Sequence, residues 1–274
     1  MASVTRELQA SYAFVERNFN LVRRYWAWEI VWLIYSVSHS LAIGFIGAAM
    51  GTLSGQQIDT SGLVLYLLIG TLVWSYLAVV FDAIGEMISW ERWEGTIEYT
   101  FMAPVSRITH MLGTVVFAVV YGLARTGVIL AIVALFFNLD LSKANLPAAA
   151  IALLVASIGF VGLGIMVATL PLLFTERGLQ MIYIAQSVVL LVSGVYYPVE
   201  VMPSWMQLIS KISPATYALI GVRDALLEGK TVLELGGVLA PLLITGIVSI
   251  PVGLAVLKRA ETYAKRTGKL KRSG

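Results

Sequence analysis

Glu91, Arg92, Glu94 and Glu98 bring four charges into eight positions of a chain that is otherwise poor in charge, with Gly95 and Thr96 between them. Side chains of this kind make charge-assisted hydrogen bonds and ion pairs with a partner surface. Trp90, Trp93 (or Glu94), Ile97 and Phe101 approximate an apolar stripe on the same segment, and Pro104 should stop a helix before Arg107. A helix with one acidic and one apolar face suits the docking of a soluble protein. An ordinary solvated loop would carry the same composition. Acid–base chemistry has fewer candidates: the two histidines, His39 and His110, with a carboxylate such as Asp82. Along the sequence neither histidine is accompanied by a paired carboxylate or a metal-spaced set. A lone histidine within a span more often hydrogen-bonds a neighbouring helix. Cysteine is absent, which removes thiol catalysis, disulfides and thiolate metal sites.

Arg125 is the other charge that needs a reason. It falls in the middle of a long apolar stretch, where a guanidinium costs at least about 2.5–3.5 kcal/mol on insertion scales. Such a group faces a partner or a wet pathway, or else snorkels to the interface. Asp224, Glu228 and Glu29 are its possible counter-ions.

The elements that must position these residues are apolar. Mean hydropathy is +0.84 and only 13% of residues are charged, against roughly 25% in a soluble domain. Six stretches reach the length of about 20 residues that a bilayer crossing needs. They are residues 26–53, 62–81, 108–137, 146–174, 179–197 and 235–257, which predicts an all-α membrane protein with six transmembrane helices. They leave no room for a further soluble domain. Residues 1–25 precede them, with Leu8, Tyr12, Val15, Phe19 and Val22 on one helical stripe and Arg6, Glu16, Arg17 and Arg23 off it. An amphipathic helix lying in the headgroup plane fits this pattern, as does one packed on a partner protein. Between spans five and six, Pro198, Pro203 and Pro214 break residues 198–234 into short apolar turns, either a re-entrant hairpin or a surface one. Tyr196, Tyr197, Trp205 and Tyr217 belong at the outer interface.

Lysine and arginine counts orient the spans. With the amino terminus inside, fourteen fall on the inner side and four (Lys143, Lys211, Arg223, Lys230) on the outer side. Both termini therefore face the cytoplasm. Residues 258–274 form a basic tail suited to anionic lipid, and nothing favours nucleic acid as a partner. A selective ion channel would need charged rings or repeated pore loops, which are scarce here.

Two segments carry a resemblance. Residues 91–98 with Met102-Ala103-Pro104-Val105-Ser106-Arg107 resemble the cytoplasmic loop of ABC-2 type transporter permeases. Ser193-Gly194-Val195-Tyr196-Tyr197-Pro198, continuing through Met202-Pro203-Ser204-Trp205 to Pro214-Ala215-Thr216-Tyr217 and Arg223, resembles the family's extracellular helical hairpin. With the amphipathic start, six spans and basic tail, the resemblance covers essentially the whole chain. It implies an export permease of a prokaryotic cytoplasmic membrane for an amphiphilic or lipid-linked substrate. It also implies that Glu91, Arg92, Glu94, Gly95, Thr96 and Glu98 couple to a separate ATPase subunit, and that two permease subunits form the pathway. Arg125, Tyr196, Tyr197 and Pro198 are then candidates for the translocation path or gate. No cofactor is expected in this chain, with ATP and Mg on the partner subunit. In agreement, Gly229-Lys230-Thr231 ends like a phosphate-binding loop but has Asp224 where a glycine is required, and Leu53-Ser54-Gly55-Gln56-Gln57 has Gln56 in place of a signature glycine. The competing readings are an intramembrane lipid-modifying enzyme and a channel or sensor.

Overall fold

Long apolar stretches without internal partners for their backbone amides become helices, because in lipid only the helix satisfies those groups locally. The computed structural model describes residues 4–54, 59–87, 89, 91, 95, 99, 102, 106–174 and 177–267, the side chains of Val4, Ser54 and Arg107 excepted. Among the described residues the chain is helical and no strand occurs. The order is α1 (Val4–Arg24), α2 (Trp26–Ser54), α3 (Thr60–Gly85), α4 (Arg107–Phe137), α5 (Leu146–Val167), α6 (Thr169–Leu173), α7 (Gly178–Val192), α8 (Ser204–Ser210), α9 (Pro214–Leu227) and α10 (Gly236–Arg266). A 3-10 turn at Val199–Val201 precedes α8.

Local chemistry sets the helix ends. Asp59, Ser106 and Asn145 accept hydrogen bonds from the backbone N–H of Gly62, Thr109 and Ala148, capping α3, α4 and α5. Asn138 closes α4 in a left-handed conformation (φ 48°), which asparagine tolerates better than most residues. The break after Val167 lies four residues before Pro171, whose ring displaces the carbonyl at that spacing. The Thr169 hydroxyl donates to the Met166 carbonyl at 2.6 Å there.

Five described segments are long and apolar enough to cross a membrane: Trp26–Leu53, Thr60–Gly85, Ile108–Phe137, Leu146–Leu173 and Gly236–Arg266. The sixth expected crossing corresponds to α7, an apolar helix of 15 residues, about 22 Å at 1.5 Å per residue. Several boundaries differ from expectation, that of α7 among them, which ends at Val192 where the span was expected to reach residue 197. α3 runs past Phe81 to Gly85 because the Asp82 carboxylate accepts a hydrogen bond from the Gln186 side chain instead of breaking the helix. α10 continues past Leu257 to Arg266, so the first part of the basic tail is helix, with Lys265 paired to Glu261 one turn away at 2.6 Å.

The core lies where α3 and α5 meet. Tyr76, Leu77, Val80, Phe81 and Ile84 pack with Ala152, Ala156 and Phe160, and α9 and α10 close the other side of α5. The Tyr76 hydroxyl and Ser157 hydroxyl share a 2.5 Å hydrogen bond inside this core. α5 and α10 approach through glycine: a Cβ on Gly253 would lie 2.7 Å from the Gly162 carbonyl, and one on Gly162 would overlap Ser249. Small residues at such contacts bring helix backbones together where lipid gives no hydrophobic drive. Gly162→Ala should therefore cost about 1–3 kcal/mol through overpacking, read as a lower thermal midpoint of the purified protein. Gly127→Ala on α4, where nothing lies within 4 Å, should leave that midpoint unchanged or raise it.

Candidate functional site

Two polar constellations sit at opposite ends of the bundle. At the first, α3 continues toward the acidic segment, and described residues of that segment fold against the start of α4. The Glu91 carboxylate is buried (3% exposed) and lies 3.3 Å from His110 Nε2. The His110 ring packs on Phe14 of α1 with ring centroids 4.3 Å apart. α1 is held there by further contacts: the Thr109 hydroxyl donates to the Glu7 carboxylate, and a Cβ on Gly113 would meet the Ser11 carbonyl at 2.5 Å. Thr114 and Met87 join α4 to the end of α3. On the neighbouring side, Tyr183 of α7 donates to Glu86 at 3.1 Å.

Gly95 lies in this segment at φ +74°, where a side chain would be strained. Tyr99 and Met102 beyond it are 78% and 84% exposed. Of the residues expected to couple to an ATPase, Glu91 and Gly95 are thus placed; Arg92, Glu94, Thr96 and Glu98 lie outside the described residues, as do Trp90, Trp93, Ile97, Phe101 and Pro104. The Glu91–His110 pair is the contact that sequence reasoning missed. The sequence suggested His110 with Asp82, which instead meets Gln186. Glu91 and His110 stand too far apart along the chain, with no shared helical spacing, for the sequence to announce the contact.

The second constellation joins the end of α7 to α9 and α3. Gly194 takes φ +71° and lets the chain turn back. Arg223 of α9 donates to the Gly194 carbonyl at 3.2 Å and to the Val195 carbonyl at 2.7 Å, and its guanidinium stands 3.6 Å from the centre of the Tyr66 ring of α3. Gly70, one turn along α3, leaves the space that Val195 occupies; a Cβ there would overlap the Val195 carbonyl. Serines reinforce this clasp: Ser193 and Ser213 hydroxyls lie 3.0 Å apart, and Ser210 donates to the Val192 carbonyl. Tyr196 reaches Thr71 of α3, Tyr197 donates to the Leu191 carbonyl at 2.6 Å, and Pro198 stands at the start of the 3-10 turn. Beyond it α8 buries Met206 and leaves Trp205 and Leu208 exposed.

Arg125 belongs to neither constellation. It donates to the Trp32 carbonyl at 2.9 Å and the Ser36 hydroxyl at 2.7 Å, which pins α4 to α2. One turn earlier on α4, the Tyr121 hydroxyl donates to the Glu29 carboxylate. Asp224 and Glu228 hold Lys230 instead, at 2.8 and 2.9 Å. These two carboxylates raise the Lys230 pKa above the usual lysine range. Among the described residues no group of three or more histidine, cysteine, aspartate or glutamate side chains could hold a metal ion.

A bundle of apolar helices with an acidic segment at one end and a broken, clasped hairpin at the other can also be recognised by sequence comparison. The model of the family described as ABC-2 type transporter matches residues 9–227. The chain belongs to this family. The permease is also similar to the linearmycin resistance permease protein LnrN of Bacillus subtilis (strain 168), with 27% identity over 168 residues. That stretch is 61% of this chain and 43% of LnrN, so the match spans less than half of that relative's length. Family membership and the apolar helices make this a multi-pass membrane protein of the ABC-2 type transporter family.

Proposed function

We propose that this permease moves an amphiphilic or lipid-linked molecule out across the cytoplasmic membrane, driven by ATP hydrolysis on a separate subunit. The observation that carries this reading is the Glu91–His110 contact, which anchors the acidic segment to the foot of α4 and to α1 while Tyr99 and Met102 stay exposed. An ATPase gripping Arg92, Glu94, Thr96 and Glu98 would then pull on α4 and α1 together. Gly95 permits close approach of the two backbones. Two such subunits, identical or closely related, enclose the pathway, and the likeness to a protein named a resistance permease supports a toxic compound as cargo.

In this reading α7 makes the remaining crossing, with Ser193–Tyr197 completing its outer end, and both termini face the cytoplasm. The Arg223 clasp on Gly194 and Val195, with Tyr196, Tyr197 and Pro198 beside it, is the outer gate. Arg125 holds α2 and α4 together as they move, instead of lining the path.

The test uses the chain's lack of cysteine. Single cysteines at positions 94 and 98 should label with a membrane-impermeant thiol reagent only from the cytoplasmic face. Glu94→Ala with Glu98→Ala should lower the stimulated ATPase of the complex at least about tenfold, the loss of one or two charge-assisted contacts, with membrane insertion intact. Exterior labelling at either position, or full stimulated turnover in the double variant, overturns the coupling role.

A further inference from the structure

α7 buries little of itself: Gly178, Ile182 and Val192. Two of these serve its ends. Gly178 meets Pro171 of α6, which a Cβ there would overlap, and Val192 packs with Met202 and Met206 of the outer hairpin. Between them, one turn of α7 faces one turn of α3. The Gln186 amide donates to the Asp82 carboxylate, Ile182 lies against Gly85, and the Tyr183 hydroxyl donates to Glu86 at 3.1 Å. The chain leaves helical geometry on both sides of α7, at Phe174 and at Gly194 with φ +71°.

Helix contacts in this bundle differ in how readily they part. α5 and α10 meet backbone to backbone at Gly162 and Gly253, a close-packed seam that cannot open without leaving voids. α3 and α7 meet through side-chain tips, with neutral donors on α7 and carboxylates on α3. Water can replace either partner of such hydrogen bonds. Asp82 lies in the last turn of α3, at the end of a span, where water is near. α3 then leads straight into the acidic segment, so a pull on that segment arrives first at the turn that faces α7.

We propose that α7 is a rocking bar whose inner half leaves α3 in each transport cycle while the outer Arg223 clasp is shut. Asp82 and Gln186 are the catch that holds the bar closed at rest, and Ile182 against Gly85 is the seam that opens. The shut clasp serves as the pivot, since Arg223 holds the Gly194 and Val195 carbonyls just beyond the end of α7. This device rests on the reading of the chain as an ATP-driven permease and adds to it the contact that moves.

The catch is tested on the full-length permease alone in nanodiscs, where any introduced thiol is the only one. The thiol of Ile182→Cys should react slowly with N-ethylmaleimide, because that position is fully buried. Gln186→Leu, which keeps the bulk and removes the donor, should speed this reaction about tenfold, the loss of one charge-assisted hydrogen bond. Gln186→Glu sets a second negative charge against Asp82 and should speed it further. The thiol of Leu77→Cys, in the core between α3 and α5, should stay unreactive in both variants. An unchanged rate at position 182, or an equal rise at position 77, overturns the catch. The motion is tested on the permease with its ATPase. A Cβ on Gly85 lies 3.4 Å from side-chain carbons of Ile182, so Gly85→Cys with Ile182→Cys should form a disulfide under mild oxidation. That disulfide should hold ATP turnover at the rate of the ATPase without the permease, and dithiothreitol should restore it. Turnover unchanged by the disulfide overturns the motion, and failure of the disulfide to form overturns the contact. The first measurement needs no ATPase, so it fails separately from the coupling test at positions 94 and 98.

Discussion

Arg223→Ala should abolish transport and raise the accessibility of a cysteine placed at position 195 by about tenfold or more. The guanidinium donates to two backbone carbonyls of the turn after α7 and lies over the Tyr66 ring. Charge-assisted hydrogen bonds are worth about 1.5–3 kcal/mol each, and a desolvated cation–π contact about 2 kcal/mol. These terms overlap, and about 3–5 kcal/mol is a reasonable total for losing them together. That is enough to convert a turn held almost always closed into one that is substantially open. Arg223→Lys separates the clasp from simple charge. Lysine keeps the positive charge but cannot reach two carbonyls with a planar fork while stacking on a ring, so it should recover only part of the activity. Transport and labelling that match the parent in both variants would remove the clasp from the gate. A second probe of the same contact is Gly70→Ala, which adds a Cβ where the Val195 carbonyl sits and should open the turn with Arg223 untouched.

His110→Ala is expected to be as damaging, at the other end. It removes the imidazole that stands 3.3 Å from the buried Glu91 carboxylate, and losing a partner of a buried polar group costs about 1–3 kcal/mol. The anchor between the acidic segment and α4 should loosen, so the partner ATPase would hydrolyse ATP at its basal rate without stimulation by substrate, while the permease still inserts. A double-mutant cycle decides whether the two residues act together. His110→Ala and Glu91→Gln combined should be no worse than His110→Ala alone, with a coupling of about 1–3 kcal/mol in thermal or denaturant unfolding. Additive losses would mean that each residue serves a separate contact.

Helix positions followed from periodicity and composition because lipid permits so little else: an apolar run of sufficient length must close its own hydrogen bonds. Ends were less legible. Asp82 looks like the start of a polar loop, yet it lies within α3, since Gln186, far along the chain on α7, meets its carboxylate. The stripe of Leu8, Tyr12 and Phe19 reads directly as an amphipathic helix, and these side chains do stay exposed. What holds that helix is the adjoining face, Glu7, Ser11 and Phe14, which docks on Thr109, Gly113 and His110 of α4. A hydrophobic stripe predicted for lipid says nothing about which neighbouring face meets protein.

The same division runs through the site. Sequence alone determined the apolar spans, the acidic segment, the proline-broken hairpin and the one arginine in the middle of a span, because each is a local signal written in consecutive residues. Only the tertiary structure decided what those residues touch. It put Glu91 on His110, Lys230 between Asp224 and Glu228, Arg125 on the backbone of α2, and Arg223 across Tyr66 and Val195. Partners of buried charges are chosen by the packing of helices distant along the chain, and that packing turns on close approaches such as Gly162 to Gly253 that carry no chemical signature of their own.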